Sequence, residues 1–221
     1  MVLFKINGER NSGTNFLEQI LKKNKFPTYT QKIIGKTVYH WKHGVPSVDY
    51  TKLDKNVVNI FIFRNLEDWL VSFSLNPYHL KKHNNFNDFL KLPQISNDKN
   101  LLDYRTNECL NKDDNGKTIF QIREYKFNKI MDYKKNNKDI ILVNLSFIQN
   151  EQNLSQFLDF LSDIYISELK VNNYICNIKH TKNNSYKQNR KYNININDYR
   201  DIIDSNLNKE IENFINNLTF I

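Results

Sequence analysis

The stretch that most constrains this chain is Val2 to Lys22, V-L-F-K-I-N-G-E-R-N-S-G-T-N-F-L-E-Q-I-L-K. Val2 to Ile6 is a short, mainly apolar run of the length of a buried strand. Gly8 to Thr14 is a polar turn bracketed by two glycines. Asn15 to Lys22 then shows helical spacing, with Phe16, Leu17, Ile20 and Leu21 on one side. Strand, glycine-bracketed turn and helix together are the layout of a phosphate-binding loop, in which backbone N–H groups and the helix N-terminus point at an anion. Gly8 and Gly13 have the spacing of the Walker motif G-x-x-x-x-G-K-[ST]. Thr14, however, stands where that motif has its Lys, and Asn15 stands where it has the magnesium-binding hydroxyl. Such a loop can cradle a phosphate but lacks the usual groups for splitting a nucleoside triphosphate. From the glycines alone, an ordinary strand-to-helix turn is an equal alternative.

A second stretch, Val57 to Phe73, reads V-V-N-I-F-I-F-R-N-L-E-D-W-L-V-S-F. Val57 to Phe63 is another buried-strand pattern. Arg64 follows directly at its carboxyl end, and Asn65 suits the N-cap of a following helix. Leu66, Trp69, Leu70 and Phe73 make that helix's apolar side. Ser72 falls eight positions after Arg64, about two helical turns on.

Taken in order, G-x-R-x-S-G-T-N at Gly8 to Asn15 and R-N-x-x-D-W-x-x-S at Arg64 to Ser72 resemble the sulfotransferases that use 3′-phosphoadenosine-5′-phosphosulfate (PAPS). The resemblance implies that Arg10, Asn11, Ser12, Gly13, Thr14 and Asn15 surround the 5′-phosphosulfate. It implies that Arg64 and Ser72 bind the 3′-phosphate. The family usually carries Lys, sometimes Arg, immediately before S-G-T, against the transferred sulfuryl group. This chain has Asn11 there, so Arg10 or Lys42 would have to supply the charge. Between the two motifs, W-K-H-G-V-P at Trp41 to Pro46 loosely matches the family's K-x-H-x-P stretch, whose His is the general base. Lys42, His43 and Pro46 carry that match. His40 is the nearest competitor, and a loop histidine bonded to backbone is the plain alternative.

The 221 residues suit one domain spanning 1–221. The expected fold is α/β, with a mainly parallel sheet flanked by helices and of the phosphate-loop type. Gly8, His43 and Arg64 each follow a strand pattern, so they would converge at the carboxyl ends of the strands, where ligands bind in such sheets. A net charge of +8 is compatible with nucleic acid, but the lysines are interleaved with Asn, Asp and Tyr rather than blocked, and an anionic donor also suits a basic field. No specific nucleic acid is therefore expected; the partner is a small-molecule or glycan acceptor, or a protein. The resemblance implies PAPS as the cofactor, leaving 3′-phosphoadenosine-5′-phosphate (PAP), with no metal required. Cys109 and Cys176 form no metal-ligand pattern. With no apolar run of spanning length and a strand beginning at Val2, the chain reads as an intracellular protein of a reducing compartment.

Elsewhere the patterns are coarser. Ile33 to His40 reads as a strand, and Phe86 to Leu90 as a short helix. Tyr78, His79 and His83, after the helix-ending Pro77, could line an acceptor site or lie on the surface. Pro93 to Asn115 is polar and loop-like, with a possible helical turn at Leu101 to Thr106. Thr118 to Lys135 is helical, Asp139 to Leu145 a buried strand, and Leu154 to Leu161 helical. Lys179 to Lys191 is basic; Lys182, Lys187 or Arg190 would close over the 3′-phosphate if the resemblance extends there, although the family's R-K-G triplet is absent. Asn197 to Asp204 and Leu207 to Leu218 read as closing helices.

Overall fold

A computed structural model describes residues 2–29, 32–34, 37–39, 42–44, 56–77, 80–95, 102–103, 114–136, 140–165, 174–176 and 194–221. Along the chain the elements are β1 (Leu3–Gly8), α1 (Thr14–Lys23), β2 (Lys32–Ile34), β3 (Thr37–Tyr39), β4 (Val57–Phe63), α2 (Leu66–Leu75), α3 (Phe86–Lys91), β5 (Leu102–Asp103), α4 (Ile119–Lys135), β6 (Ile140–Asn144), α5 (Leu145–Ile148) and α6 (Glu151–Tyr165). A 3-10 turn at Ile196–Tyr199 leads into α7 (Arg200–Asn206), and α8 (Lys209–Asn217) follows.

The main sheet is parallel, in the order β1-β4-β6. Leu3 pairs with Val57, Gly8 with Ile62, and Phe63 with Asn144, so all three strands end on the same side. Two short segments extend its edges. Phe4 bonds to Pro27 and Tyr29 through its N–H and its carbonyl, and Leu142 exchanges both backbone hydrogen bonds with Ile221.

Alternation along the strands sends side chains to two buried layers. Phe4, Ile6, Val58, Ile60, Ile62, Ile141 and Val143 pack with Leu17, Ile20 and Leu21 of α1 and Leu154, Phe157, Leu158 and Leu161 of α6. Phe61, Phe63, Ile140 and Leu142 meet Phe127, Ile130 and Tyr133 of α4 and Ile211 and Ile215 of α8 on the opposite face. Helices thus cover both faces, as near-continuous apolar strands require. Fully burying each such side chain stabilises the fold by about 1.5–3 kcal/mol. A third cluster, around Trp69, Leu70, Phe73, Phe89 and Ile119, joins α2, α3 and α4 beside the sheet.

Two local readings change. Ile33 to His40 does not run as one strand: β2 and β3 pair antiparallel, Ile33 opposite Val38, with only Gly35 and Lys36 between them. A two-residue, glycine-containing connection is a hairpin signal that outweighs the apolar run around it. Within Leu101 to Thr106, Leu102 and Asp103 are strand rather than helical turn, because they pair with Thr37 and Val38. Here tertiary pairing overrides a weak local preference. The polar stretch from Pro93 is also anchored. Gln94 is fully buried, its side-chain amide donates to the Phe89 carbonyl at 3.0 Å, and its backbone bonds to Gly116 and Lys117.

Candidate functional site

The loop between β1 and α1 is built on two left-handed residues, Asn11 (φ 63°) and Gly13 (φ 100°). Ser12 closes the intervening turn by donating to the Glu9 carbonyl from its backbone N–H at 3.2 Å and from its hydroxyl at 2.7 Å. Gly8 has no room for a side chain: a Cβ there would lie 2.5 Å from both the Ile62 carbonyl oxygen and Ser12 Oγ. A Cβ on Gly13 would lie 2.7 Å from a Leu145 methyl. Gly13 occupies the N-cap of α1, and no side chain caps that helix. Its first-turn N–H groups and the positive end of its dipole therefore have no side-chain acceptor from the N-cap. Ser12 and Thr14 are both buried. The Ser12 hydroxyl shapes the loop rather than facing outward.

Arg64 follows β4, whose end lies beside that of β1. One of its terminal nitrogens donates to the Asn11 carbonyl at 3.2 Å, which ties the second motif to the loop. The Asn11 side chain donates to the Asn76 carbonyl at 3.2 Å, just past α2. Asn11, Arg64 and Ser72 line one cleft of about 580 Å³ together with Ile194, Asn195 and Ile196. Burial lowers the Arg64 pKa, and Asp68 opposes this. Asn65 sits at the N-cap of α2 but makes no side-chain cap. Its side-chain Oδ1 accepts from Asn144 Nδ2 at 2.9 Å instead, joining the ends of β4 and β6.

Lys42 and His43 cover the end of β1. Gly8 N–H donates to the Lys42 carbonyl at 2.9 Å. His43 Nδ1 lies 2.9 Å from the Gly8 carbonyl. A carbonyl only accepts, so Nδ1 carries the hydrogen and Nε2 is the basic nitrogen. Burial pushes the His43 pKa well below the usual value, and the charges of Arg10, Lys42 and Lys126 push the same way; the Gly8 hydrogen bond opposes them. Lys42 Nζ donates to Asn15 Oδ1 and sits 3.8 Å from Glu18 Oε2, placing its ammonium group beside the first turn of α1. Burial lowers its pKa as well, opposed by Glu18. Arg10 is 5% exposed, and its charge acts on both Lys42 and His43.

The fold thus places Arg10, Asn11, Ser12, Gly13, Thr14, Asn15, Lys42, His43 and Arg64 near the carboxyl ends of β1 and β4, with Ser72 two turns along α2; Asn11, Arg64 and Ser72 share the cleft, whereas His43 lines a separate cavity of about 10 Å³ with Gly8, Glu9, Phe61 and Lys126. His83 takes a different place. It is 3.2 Å from Gln94 Oε1 and lines a second cleft with Lys82, Phe86, Phe89 and Tyr199. His40, Trp41, Pro46, Tyr78, His79, Lys182, Lys187 and Arg190 lie outside the described residues.

Sequence reasoning missed a buried ionic cluster behind the loop. Arg123 of α4 binds Glu212 of α8 in a two-pronged pair, at 2.6 and 2.8 Å, and Glu9 at 2.8 Å. Lys126, one turn along α4, pairs with Asp114 at 2.8 Å. Burial raises the Glu9 pKa, and Arg123 opposes it. The signal was present: Ile119, Arg123, Lys126 and Ile130 share one helical stripe, so two cations interrupt an otherwise apolar, core-facing row.

Among the described residues no group of three or more His, Cys, Asp or Glu could hold a metal ion, and no helix is long and apolar enough to cross a membrane. Compared with models of protein families, with curated proteins and with solved structures, the chain matches none.

Proposed function

We propose that this protein transfers a sulfuryl group from PAPS to a hydroxyl or amine acceptor. The observation that carries the reading is one of geometry: the glycine loop, the His43 imidazole and Arg64 lie at the carboxyl ends of adjacent parallel strands, Arg64 bonds to the loop itself, and Ser72 of α2 shares its cleft.

PAPS supplies the sulfuryl group. The uncapped start of α1 suits its 5′-phosphosulfate, and Arg64 with Ser72 suits its 3′-phosphate. Backbone N–H groups of the loop, with the charges of Arg10 and Lys42, offset negative charge on the transferred group and the leaving phosphate. His43 Nε2 takes the acceptor's proton, while the Nδ1–H bond to Gly8 holds the ring in orientation and supports the imidazolium that forms. Nothing in this chemistry needs a metal.

The test is transfer of radiolabelled sulfate from PAPS to a panel of small hydroxyl and amine compounds, glycans and tyrosine peptides. Label on an acceptor, dependent on His43, supports the reading. A second reading, a non-catalytic PAP-binding protein, is favoured by Asn11: the residue where the family carries its cation donates to the Asn76 carbonyl. PAP binding without transfer to any acceptor would select it. Magnesium-dependent release of phosphate from ATP would instead point to a kinase or nucleotide hydrolase. Thr14 and Asn15 are poorly suited to that chemistry.

A further inference from the structure

We infer that Arg123, fixed by Glu212, is a positioning residue that sets the distance between the two phosphate-binding elements of this site; the inference rests on the function proposed above. Arg123 is 2% exposed and does not itself line the cleft. Its reach is nonetheless to both elements. One terminal nitrogen donates to Glu9 in the loop at 2.8 Å, and the other donates to the Arg64 backbone carbonyl at 2.8 Å. Its guanidinium carbon lies over the Trp69 ring of α2, 4.9 Å from the ring centre. The Trp69 indole N–H in turn donates to the Arg10 carbonyl at 2.8 Å. Both the loop and the start of the second motif therefore hang on one planar cation.

The same guanidinium cannot drift, because Glu212 holds it through two parallel bonds from the C-terminal helix α8. A fold needing only stability would do as well with apolar side chains here, since buried ion pairs are weak stabilisers. What this arrangement supplies is a fixed geometry: the planar fork dictates where Glu9, the Arg64 carbonyl and Trp69 stand relative to one another. A ligand with two phosphates on one nucleoside must meet both elements at a set separation, so it gains from that fixed spacing. A ligand with one phosphate does not.

The experiment compares PAP with adenosine 5′-monophosphate and adenosine 3′-monophosphate by calorimetry, in the wild type, Arg123→Lys and Glu212→Gln, each checked for folding by circular dichroism. Lysine keeps the charge but loses the fork. The wild type is expected to bind PAP at least about tenfold more tightly than either monophosphate. In the variants PAP affinity should fall about tenfold or more, toward that of the better monophosphate, while each monophosphate changes less than about threefold. Should Arg123→Lys fail to fold, Trp69→Phe, which removes only the bond to Arg10 while keeping a ring under the guanidinium, is expected to show the same selective loss in smaller measure. Folded variants that keep the PAP preference, or lose all three ligands in proportion, overturn the positioning role while leaving the proposed function standing. A wild type without PAP preference overturns the proposed function, and this inference with it.

Discussion

His43 Nδ1–H and the Gly8 carbonyl are joined by a 2.9 Å hydrogen bond, so the imidazole is oriented by the same residue that opens the glycine loop. Burial and the neighbouring charge of Arg10 keep the ring neutral to unusually low pH. A base is active when deprotonated, so its activity is full above its pKa and lost as pH falls through it. The acid limb of the rate profile should therefore lie below pH 6.5, the ordinary histidine value. His43→Ala should lower turnover by about 100-fold or more and leave PAP affinity within about threefold. Near-normal turnover in that variant would move the search for the base to His40 or His79.

Arg64→Ala should weaken PAP binding strongly. A charge-assisted contact to phosphate is worth about 1.5–3 kcal/mol, or about 10- to 150-fold in affinity. The substitution also removes the bond from the guanidinium to the Asn11 carbonyl, so the loop loses a tether. Ser72→Ala should cost less, because a neutral hydroxyl is the weaker donor and Ser72 holds no loop atom in the bonds described. Calorimetry with PAP, without added metal, checks both; equal affinity in the wild type and Arg64→Ala would sink the assignment.

Gly13→Ala tests whether the loop's shape matters apart from its charges. Left-handed backbone costs an L-residue about 1–2 kcal/mol. The added Cβ would also stand 2.7 Å from the Leu145 side chain, against the start of α5. For a chain of this size each kcal/mol corresponds to about 2–4 °C in Tm. A lower melting temperature together with weakened PAP binding is expected; an unchanged melt would mean that the loop relaxes without strain.

Much of this arrangement was readable because the residues concerned obey local rules. Val57 to Phe63 is buried on both faces and could hardly be anything but a central strand, and Arg64 then had to emerge at its carboxyl end. Gly8 and Gly13 announced a tight strand-to-helix turn. Thr118 to Lys135 reads as helical, and α4 starts there at Ile119, behind a capping box of Thr118 and Gln121. The stripe of α4 shows Arg123 facing the core, but its partners were not readable, because Glu9 and Glu212 stand 114 and 89 positions away and meet it only through packing. The split of Ile33 to His40 into two strands also depended on a small sheet whose third strand comes from Leu102 and Asp103.

Lys42 offers the sharpest test of how this chain manages without a lysine at Asn11. Its Nζ is held by Asn15 Oδ1 and faces Glu18 at 3.8 Å, so its charge stands beside the first turn of α1. On the proposed function, a cation there would stand in for the family's loop lysine, reached from a different segment. Removing one donor to a developing negative charge typically costs about 100- to 1,000-fold in turnover. Lys42→Met should thus depress kcat with a smaller effect on PAP affinity, whereas Arg10→Ala should impair both, since Arg10 is buried within the loop itself. Lys42 also carries an internal control. Its positive charge helps lower the His43 pKa, so removing it should raise that pKa and move the acid limb of the rate profile upward, toward pH 6.5. A fall in kcat with an unmoved acid limb would separate the two roles. Unchanged kcat and an unmoved limb would leave Arg10 as the cation that answers for Asn11.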